Sequence, residues 1–227
     1  MTQDQIILPV NQYDESSDPK QEEENPRWAP MEVKADNRTE YSKRQDKEGN
    51  TVIRAESKNA ASGLIYKVDI DPSEYPVIEW RWRVDNIVEG GDVTKKSGDD
   101  YAARIYVTFD YDKANLGFTD WIKYMFIKTF TSYNIPLRAI NYIWANDTEK
   151  SRIVPNPFTD WVQMVVVRNG SDKRRTWITE TRNILEDYRK IWGEDPPRIS
   201  GVAIMTDTDN TGGEAVAWYG DIVFKKE

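Results

Sequence analysis

Residues 201–224, GVAIMTDTDNTGGEAVAWYGDIVF, decide the fold class. Val202, Ile204 and Thr206 alternate with Ala203, Met205 and Asp207, and Val216, Trp218, Ile222 and Phe224 alternate with Ala217, Tyr219, Asp221 and Val223. A period of two marks extended chain with one buried face, so the spacing predicts two strands. Between them runs Asp207-Thr208-Asp209-Asn210-Thr211-Gly212-Gly213. Asp and Asn bond neighbouring backbone in turns, and Gly supplies positive φ. Read plainly, this is a hairpin turn with solvated acids, and the hairpin closes the domain. Read more sharply, Asp207 and Asp209 lie about 7 Å apart along one side of an extended chain. With Asn210 they then offer oxygen ligands to a hard cation such as calcium, or to the hydroxyls of a sugar.

The same period recurs upstream. Residues 77–85, VIEWRWRVD, set Ile78, Trp80, Trp82 and Val84 against Glu79, Arg81, Arg83 and Asp85. Residues 102–109 continue Tyr101 into a strand with Ala103, Ile105, Val107 and Phe109 on one face and Arg104 and Tyr106 on the other. If these two strands pair, Arg81, Arg83, Arg104 and Tyr106 form one ligand face in a shared hollow, because guanidinium forks grip carboxylates and paired hydroxyls. The alternative is a set of cross-strand ion pairs, worth roughly a few tenths of a kcal/mol each. Tyr219 joins the ligand candidates, as do Asp99 and Asp100 in the loop before the second strand. The plainer role of Asp99-Asp100 is to cap that strand's start, and their second use is as a reserve cation site.

Further strands are expected over 28–33, 39–44, 51–57, 61–70, 139–146 and 161–169, with a hairpin across Gly49-Asn50 and the Val-rich last strand in a central position. Two helices interrupt them. One runs over 121–130 behind Thr119-Asp120. The other runs over 177–192 on a stripe of Trp177, Ile184, Tyr188 and Ile191, between Thr176 as N-cap and Gly193. About ten strands with one or two inserted helices predict an all-β chain, an antiparallel β-sandwich of jelly-roll type. Residues 14–24, DESSDPKQEEE, carry six acids against one lysine. Residues 1–27 therefore read as a flexible acidic segment ahead of a single sandwich domain over 28–227. Ile6-Ile7-Leu8-Pro9-Val10 within that segment reads as a short strand or a docking piece.

Composition removes several chemistries. The 227 residues contain no Cys and no His, which excludes a catalytic triad, a Cys–His pair, an HExxH zinc site and a histidine base. Any acid–base work falls to Asp, Glu, Tyr, Lys or Arg. A net charge of −8 and a pI of about 4.9 argue against nucleic acid, which is met by basic patches. No apolar run is long enough to span a bilayer. Nine Trp and twelve Tyr supply flat faces, for a sandwich core and its rim or for stacking on a ligand.

Residues 96–106, KSGDDYAARIY, followed by the YIW strand, the RNILEDYR helix and the ending GVAIMTDTDNTG…AWYGDIVF, resemble a bacterial family of tryptophan-rich jelly-roll domains of unknown function. The resemblance covers about 28–224. It implies an exported, periplasmic or secreted protein, similar in outline to carbohydrate-binding modules and polysaccharide-active sandwich enzymes. Three roles are then in view. The first is a glycan-binding module, its aromatic planes beside Arg81, Arg83, Asp99 and Asp100 and its bend ordered by calcium. The second is a polysaccharide-active enzyme, either a hydrolase drawing on Asp99, Asp100, Asp207, Asp209 and Asp221 or a uronate lyase with Tyr106 or Tyr219 as acid/base and Arg81 or Arg104 against the substrate carboxylate. The third is an envelope assembly protein that docks a protein partner through the N-terminal segment or the aromatic helix.

Overall fold

Alternation becomes strand wherever it was read, but the strands fall into two layers. The computed structural model describes residues 4–15, 28–31, 33, 35–110, 138–146, 152–171 and 173–227. The helix expected over 121–130 and most of the acidic run lie outside the described residues. Among the described residues thirteen strands follow in order: β1 (Gln5–Leu8), β2 (Trp28–Met31), β3 (Glu40–Gln45), β4 (Thr51–Lys58), β5 (Ala61–Ile70), β6 (Val77–Val84), β7 (Arg104–Phe109), β8 (Ala139–Ala145), β9 (Ile153–Asn156), β10 (Thr159–Asn169), β11 (Ile178–Asn183), β12 (Ile199–Asp207) and β13 (Glu214–Lys225). One α-helix among the described residues, α1, spans Ile184–Trp192.

The first sheet runs β11-β6-β13-β4-β3, with β1 also on β13; the second runs β2-β5-β12-β7-β8-β10-β9. All ladders are antiparallel except β8 with β10, which are parallel. The Val-rich β10 is therefore second from an edge, not central. Its buried run comes from cover on both faces rather than from a middle place in the sheet. Between the layers lies the main core, with Trp80, Trp82, Tyr142, Trp144, Ile204, Tyr219 and Phe224 all within 1% of full burial. Trp80 packs against Tyr142 at 5.2 Å and Trp82 against Trp144 at 5.9 Å between ring centroids, so the aromatic load is mostly spent joining the sheets.

The decisive stretch does not form a hairpin. β12 pairs with β5 and β7, whereas β13 pairs with β4, β6 and β1. Residues 208–213 are thus an arch from one sheet to the other. Period two gives each strand a buried face, and two facing strands of a sandwich satisfy it as well as two paired ones. For the same reason β6 and β7 lie in different sheets. The 39–44 and 51–57 hairpin does form, as β3 and β4.

Two boundaries move. The helix expected from Trp177 starts only at Ile184, because residues 178–183 pair with β6 as β11. The Asn183 carboxamide accepts from the Glu186 amide at 3.0 Å, making Asn183 and not Thr176 the N-cap. Gly193 ends the helix at φ 74°, as the sequence indicated. At the N-terminus, β1 runs alongside residues 222–225 of β13. β6 holds the other side of those residues, so β1 prolongs the line that β4 leaves. Leu8, Val10 and Tyr13 are buried in the main core. The sandwich therefore begins at Gln5 rather than near Trp28; this short apolar piece fills an open edge of a sheet.

The sheets differ outside. The outer face of the first sheet is open, as the buried/half-buried alternation along β6 records. The middle of the second sheet is covered on both faces, since every residue of β8 and all but one residue each of β7 and β12 are buried. A second apolar cluster of Val93, Tyr101, Ile143, Val154, Met164 and Val166 sits on its outer side.

Candidate functional site

The residues singled out from the sequence separate into three places. The first is the margin of the second sheet, beneath the arch. Arg104 is 1% exposed. Its Nε donates to Asp207 Oδ1 at 2.8 Å and its Nη2 to Asp207 Oδ2. Its Nη1 reaches the Tyr106 hydroxyl at 3.1 Å and Asp99 Oδ1 at 3.4 Å. The guanidinium lies 4.3 Å from the Tyr101 ring centroid. Asp99 also accepts from Asn156 at 2.8 Å. Asp100 pins the arch: Oδ1 accepts from the Asn210 backbone at 3.2 Å and side chain at 3.1 Å, and Oδ2 from the Thr211 amide at 2.6 Å.

Burial pushes the Asp207 carboxyl upward, with Arg104 pulling against it. Burial also works against the Arg104 charge, but Asp207, Tyr106 and Asp99 together hold that cation in place. Burial pushes the Tyr106 phenol up to about 12, the wrong direction for a base at neutral pH. Asp100, Asp207 and Asp209 bring carboxylate oxygens within 4.8 Å of one another, a grouping that can hold a metal ion. The Asn210 side-chain nitrogen donates to Asp100 and Asp209; the atom with which an amide meets a cation is its carbonyl oxygen.

The second place is the core. The Tyr219 hydroxyl donates to the Met205 carbonyl at 2.7 Å and lies 2.8 Å from the Thr206 hydroxyl. At 1% exposure it ties the two ends of the arch together between the sheets and meets no solvent.

The third place is the open outer face of the first sheet, where Arg81 and Arg83 project. Both are paired. Arg83 is bound to Asp85 through Nε at 3.0 Å and Nη2 at 2.7 Å. Trp218 lies between Arg54 and Arg83, at 5.5 and 5.2 Å, and donates its indole N–H to Asp85. The register explains this row, because Trp218 is the cross-strand neighbour of both arginines. Arg81 donates to Asp46 at 2.7 Å and lies 4.6 Å over the Trp177 ring. It fits only because residue 220 is glycine: a Cβ there would meet Arg81 Cγ and Nε at 2.6 Å. A register shift of β13 against β6 between Tyr219 and Ile222 places this glycine under the arginine. The shared hollow of Arg81, Arg83, Arg104 and Tyr106 therefore does not form; two of these side chains face out from each sheet.

What forms instead is a cleft of about 370 Å³ on the open face. Glu79 and Arg81 of β6 make its floor, Thr179 of β11 and Asp221 of β13 its sides, and Asn50 of the β3–β4 turn with Thr51 at the start of β4 one wall. Asn11, just after β1, closes it. Lys225 neutralises Glu79 at 2.8 Å. Asp221 accepts from the Val10 amide at 2.8 Å and is otherwise exposed. Sequence reasoning had placed Glu79 on this face without a role and had named Asp221 only in the pool of acids. It missed Asn11, Asn50, Thr51 and Thr179, whose convergence depends on where β1, β11 and the turn dock. Trp177 was read as part of a helix stripe. A second hollow, of about 700 Å³, lies beside the β9–β10 hairpin under the exposed ring of Phe158.

A family model described as protein of unknown function, DUF3047, matches residues 26–223. The chain belongs to that family. The match spans the sandwich from just before β2 almost to the end of β13. No curated protein matches the chain. Among solved structures, a glycoside hydrolase domain, Endo-D of Streptococcus pneumoniae R6, is similar over 88% of this chain and 22% of its own, at 7% identity and a TM-score of 0.39. The chain thus spans about a fifth of that structure, and at this level the likeness carries no argument about function. Among the described residues no helix is long and apolar enough to cross a membrane.

Proposed function

We propose that this protein is a saccharide-binding sandwich module and that its ligand site is the cleft on the outer face of the first sheet. The observation that carries the reading is the convergence of hydrogen-bonding side chains from five separate elements on one open cleft beside the Arg81–Trp177 stack. Saccharide recognition requires planar polar groups to pair with hydroxyls and an aromatic plane for the ring's C–H face. Arg81, Asn11, Asn50, Glu79 and Asp221 supply the first, and Trp177 at the margin supplies the second. The volume falls in the roughly 300–1,000 Å³ range of small-ligand sites. Arg81 is held by Asp46 and by its stack, so little side-chain freedom is lost when a ligand arrives. Calorimetric titration with a panel of soluble oligosaccharides tests this. Binding by wild type that weakens tenfold or more in Arg81→Ala and Trp177→Ala supports the reading; absence of binding across the panel contradicts it. Export to the periplasm, implied by the family resemblance, belongs to the same proposal.

One observation favours an enzymatic second reading: Glu79 and Asp221 line the same cleft, and glycoside hydrolysis needs two carboxylates. Release of reducing sugar that is lost in Glu79→Gln and Asp221→Asn would support it. The lyase variant has less behind it, because Tyr106 and Tyr219 both lie outside this cleft.

Calcium at the arch is a separate proposal. The grouping of Asp100, Asp207 and Asp209 supports it. Arg104 opposes it, since it already takes both oxygens of Asp207 and calcium asks for six to eight oxygens. A melting temperature that rises by several degrees with millimolar calcium and falls with EGTA supports the ion; an unchanged one assigns the positive charge of this group to Arg104.

A further inference from the structure

The charges around the cleft on the first sheet do not cancel. Arg81 is matched by Asp46 at 2.7 Å, and Asp46 accepts further bonds from the Asn50 side chain and amide and from the Glu48 amide. Lys225 is matched by Glu79 at 2.8 Å. Arg81 in the cleft and Lys225 beside it are thus both committed to carboxylates within the protein. Asp221 remains. It is exposed, lines the cleft, accepts one backbone N–H, and has no ion-pair partner among the described residues. Among the residues that line the cleft, the carboxylates Glu79 and Asp221 therefore outnumber the one cation, Arg81, which Asp46 already holds; Lys43 stands at the rim, its Nζ donating to the Asn11 carbonyl at 3.0 Å. A groove built for a uronic acid has the opposite balance, with an arginine fork left free to take the ligand carboxylate.

We infer that the cleft takes a neutral saccharide and discriminates against uronic-acid polymers, with Asp221 as the residue that sets this preference. The inference rests on the saccharide reading of the same cleft and narrows its ligand class. A neutral sugar meets Asp221 as a hydrogen-bond acceptor for a pair of hydroxyls, and meets Arg81 as a donor whose charge is already balanced. A uronate must bring its carboxylate close to Asp221, and from Arg81 it gains only N–H donors whose charge Asp46 already balances. Like-charge repulsion over this range in a half-exposed site weakens binding about tenfold. Salt screens such repulsion, so the difference shrinks as ionic strength rises.

The test is calorimetric titration of the whole protein with cellohexaose, xylohexaose and mannohexaose, and with hexagalacturonate and hexamannuronate, at about 20 mM and about 500 mM salt. The expected result is binding of at least one neutral hexamer with an affinity that salt barely changes. Both uronates should bind at least tenfold more weakly at low salt, and Asp221→Asn should narrow that gap. Uronate binding equal to or tighter than that of every neutral hexamer overturns the inference while leaving the saccharide reading intact. A gap that Asp221→Asn leaves unchanged overturns the role of Asp221. Failure of both classes to bind removes the saccharide reading and the inference with it.

Discussion

Arg104 shows what a single side chain can mean in two contexts. Its place on the polar side of its strand was legible from alternation with Ile105 and Val107. Its burial was not, because the cover on that side comes from outside the strand: the Tyr101 ring from the loop ahead of it and Asp207 from the end of β12. A cation read as a ligand clamp is instead the hub joining β7, the 99–100 loop and the arch. Arg104→Ala leaves Asp207 and Asp99 buried without their cation. The expected loss is about 3–5 kcal/mol in urea denaturation, where a surface arginine such as Arg83 should lose under about 1 kcal/mol. Asp46 makes the residue-scale prediction for the cleft. Against the cost of desolvation, hydrogen bonds from Asn50 and Arg81 hold its carboxyl well below its ordinary value of 3.8. A depressed value in the folded state means that the stabilisation is complete above the unfolded value, near pH 4, and is lost as pH falls below it. A carbon-detected titration should place the Asp46 midpoint below 3.8, and Arg81→Ala should raise it. A midpoint unmoved by Arg81→Ala would break the link between the turn and the floor of the cleft.

Element by element, strand positions were the most legible part of the sequence, because period two survives any choice of partner. Partners were not legible. Residues 201–224 have the pattern of a hairpin, yet they bridge two sheets; alternation reports a buried face and is silent about which strand lies alongside. The start of α1 was misplaced for a related reason. Trp177 and Ile184 fit one helical stripe, but Thr179 and Thr181 are β-branched and find a free edge on β6. The N-terminal arm was obscured by its acidic neighbours. Its apolar core of Ile6–Val10 is short, and the stretch that follows reads as linker. Yet Leu8, Val10 and Tyr13 are 1%, 0% and 6% exposed, and each buried side chain of this kind contributes about 1.5–3 kcal/mol. Deleting residues 1–13 should therefore lower the melting temperature by more than 10 °C and, by removing Asn11 and freeing Asp221 from Val10, abolish ligand binding. A truncated protein that melts like wild type would show that the arm does not belong to the fold.

For the whole molecule, the sandwich class followed from composition and period, while the position of the candidate site followed from neither. The cleft is assembled by β6, β11, β13, the β3–β4 turn and the residue after β1, elements spread from Asn11 to Val223, and only long-range pairing brings them together. Aromatic abundance pointed to stacking surfaces. The structure puts most of the large rings into the seam between sheets and leaves Trp177 and Trp218 half-exposed beside arginines. The central claim is that the open face of the first sheet, and not the arch, meets the ligand. Amide chemical-shift mapping during titration with a bound neutral oligosaccharide tests it most directly. The account predicts shifts concentrated at residues 79–81, 177–179, 221 and 50–51, with 207–213 unmoved; shifts centred on the arch, or beside Phe158, would contradict it.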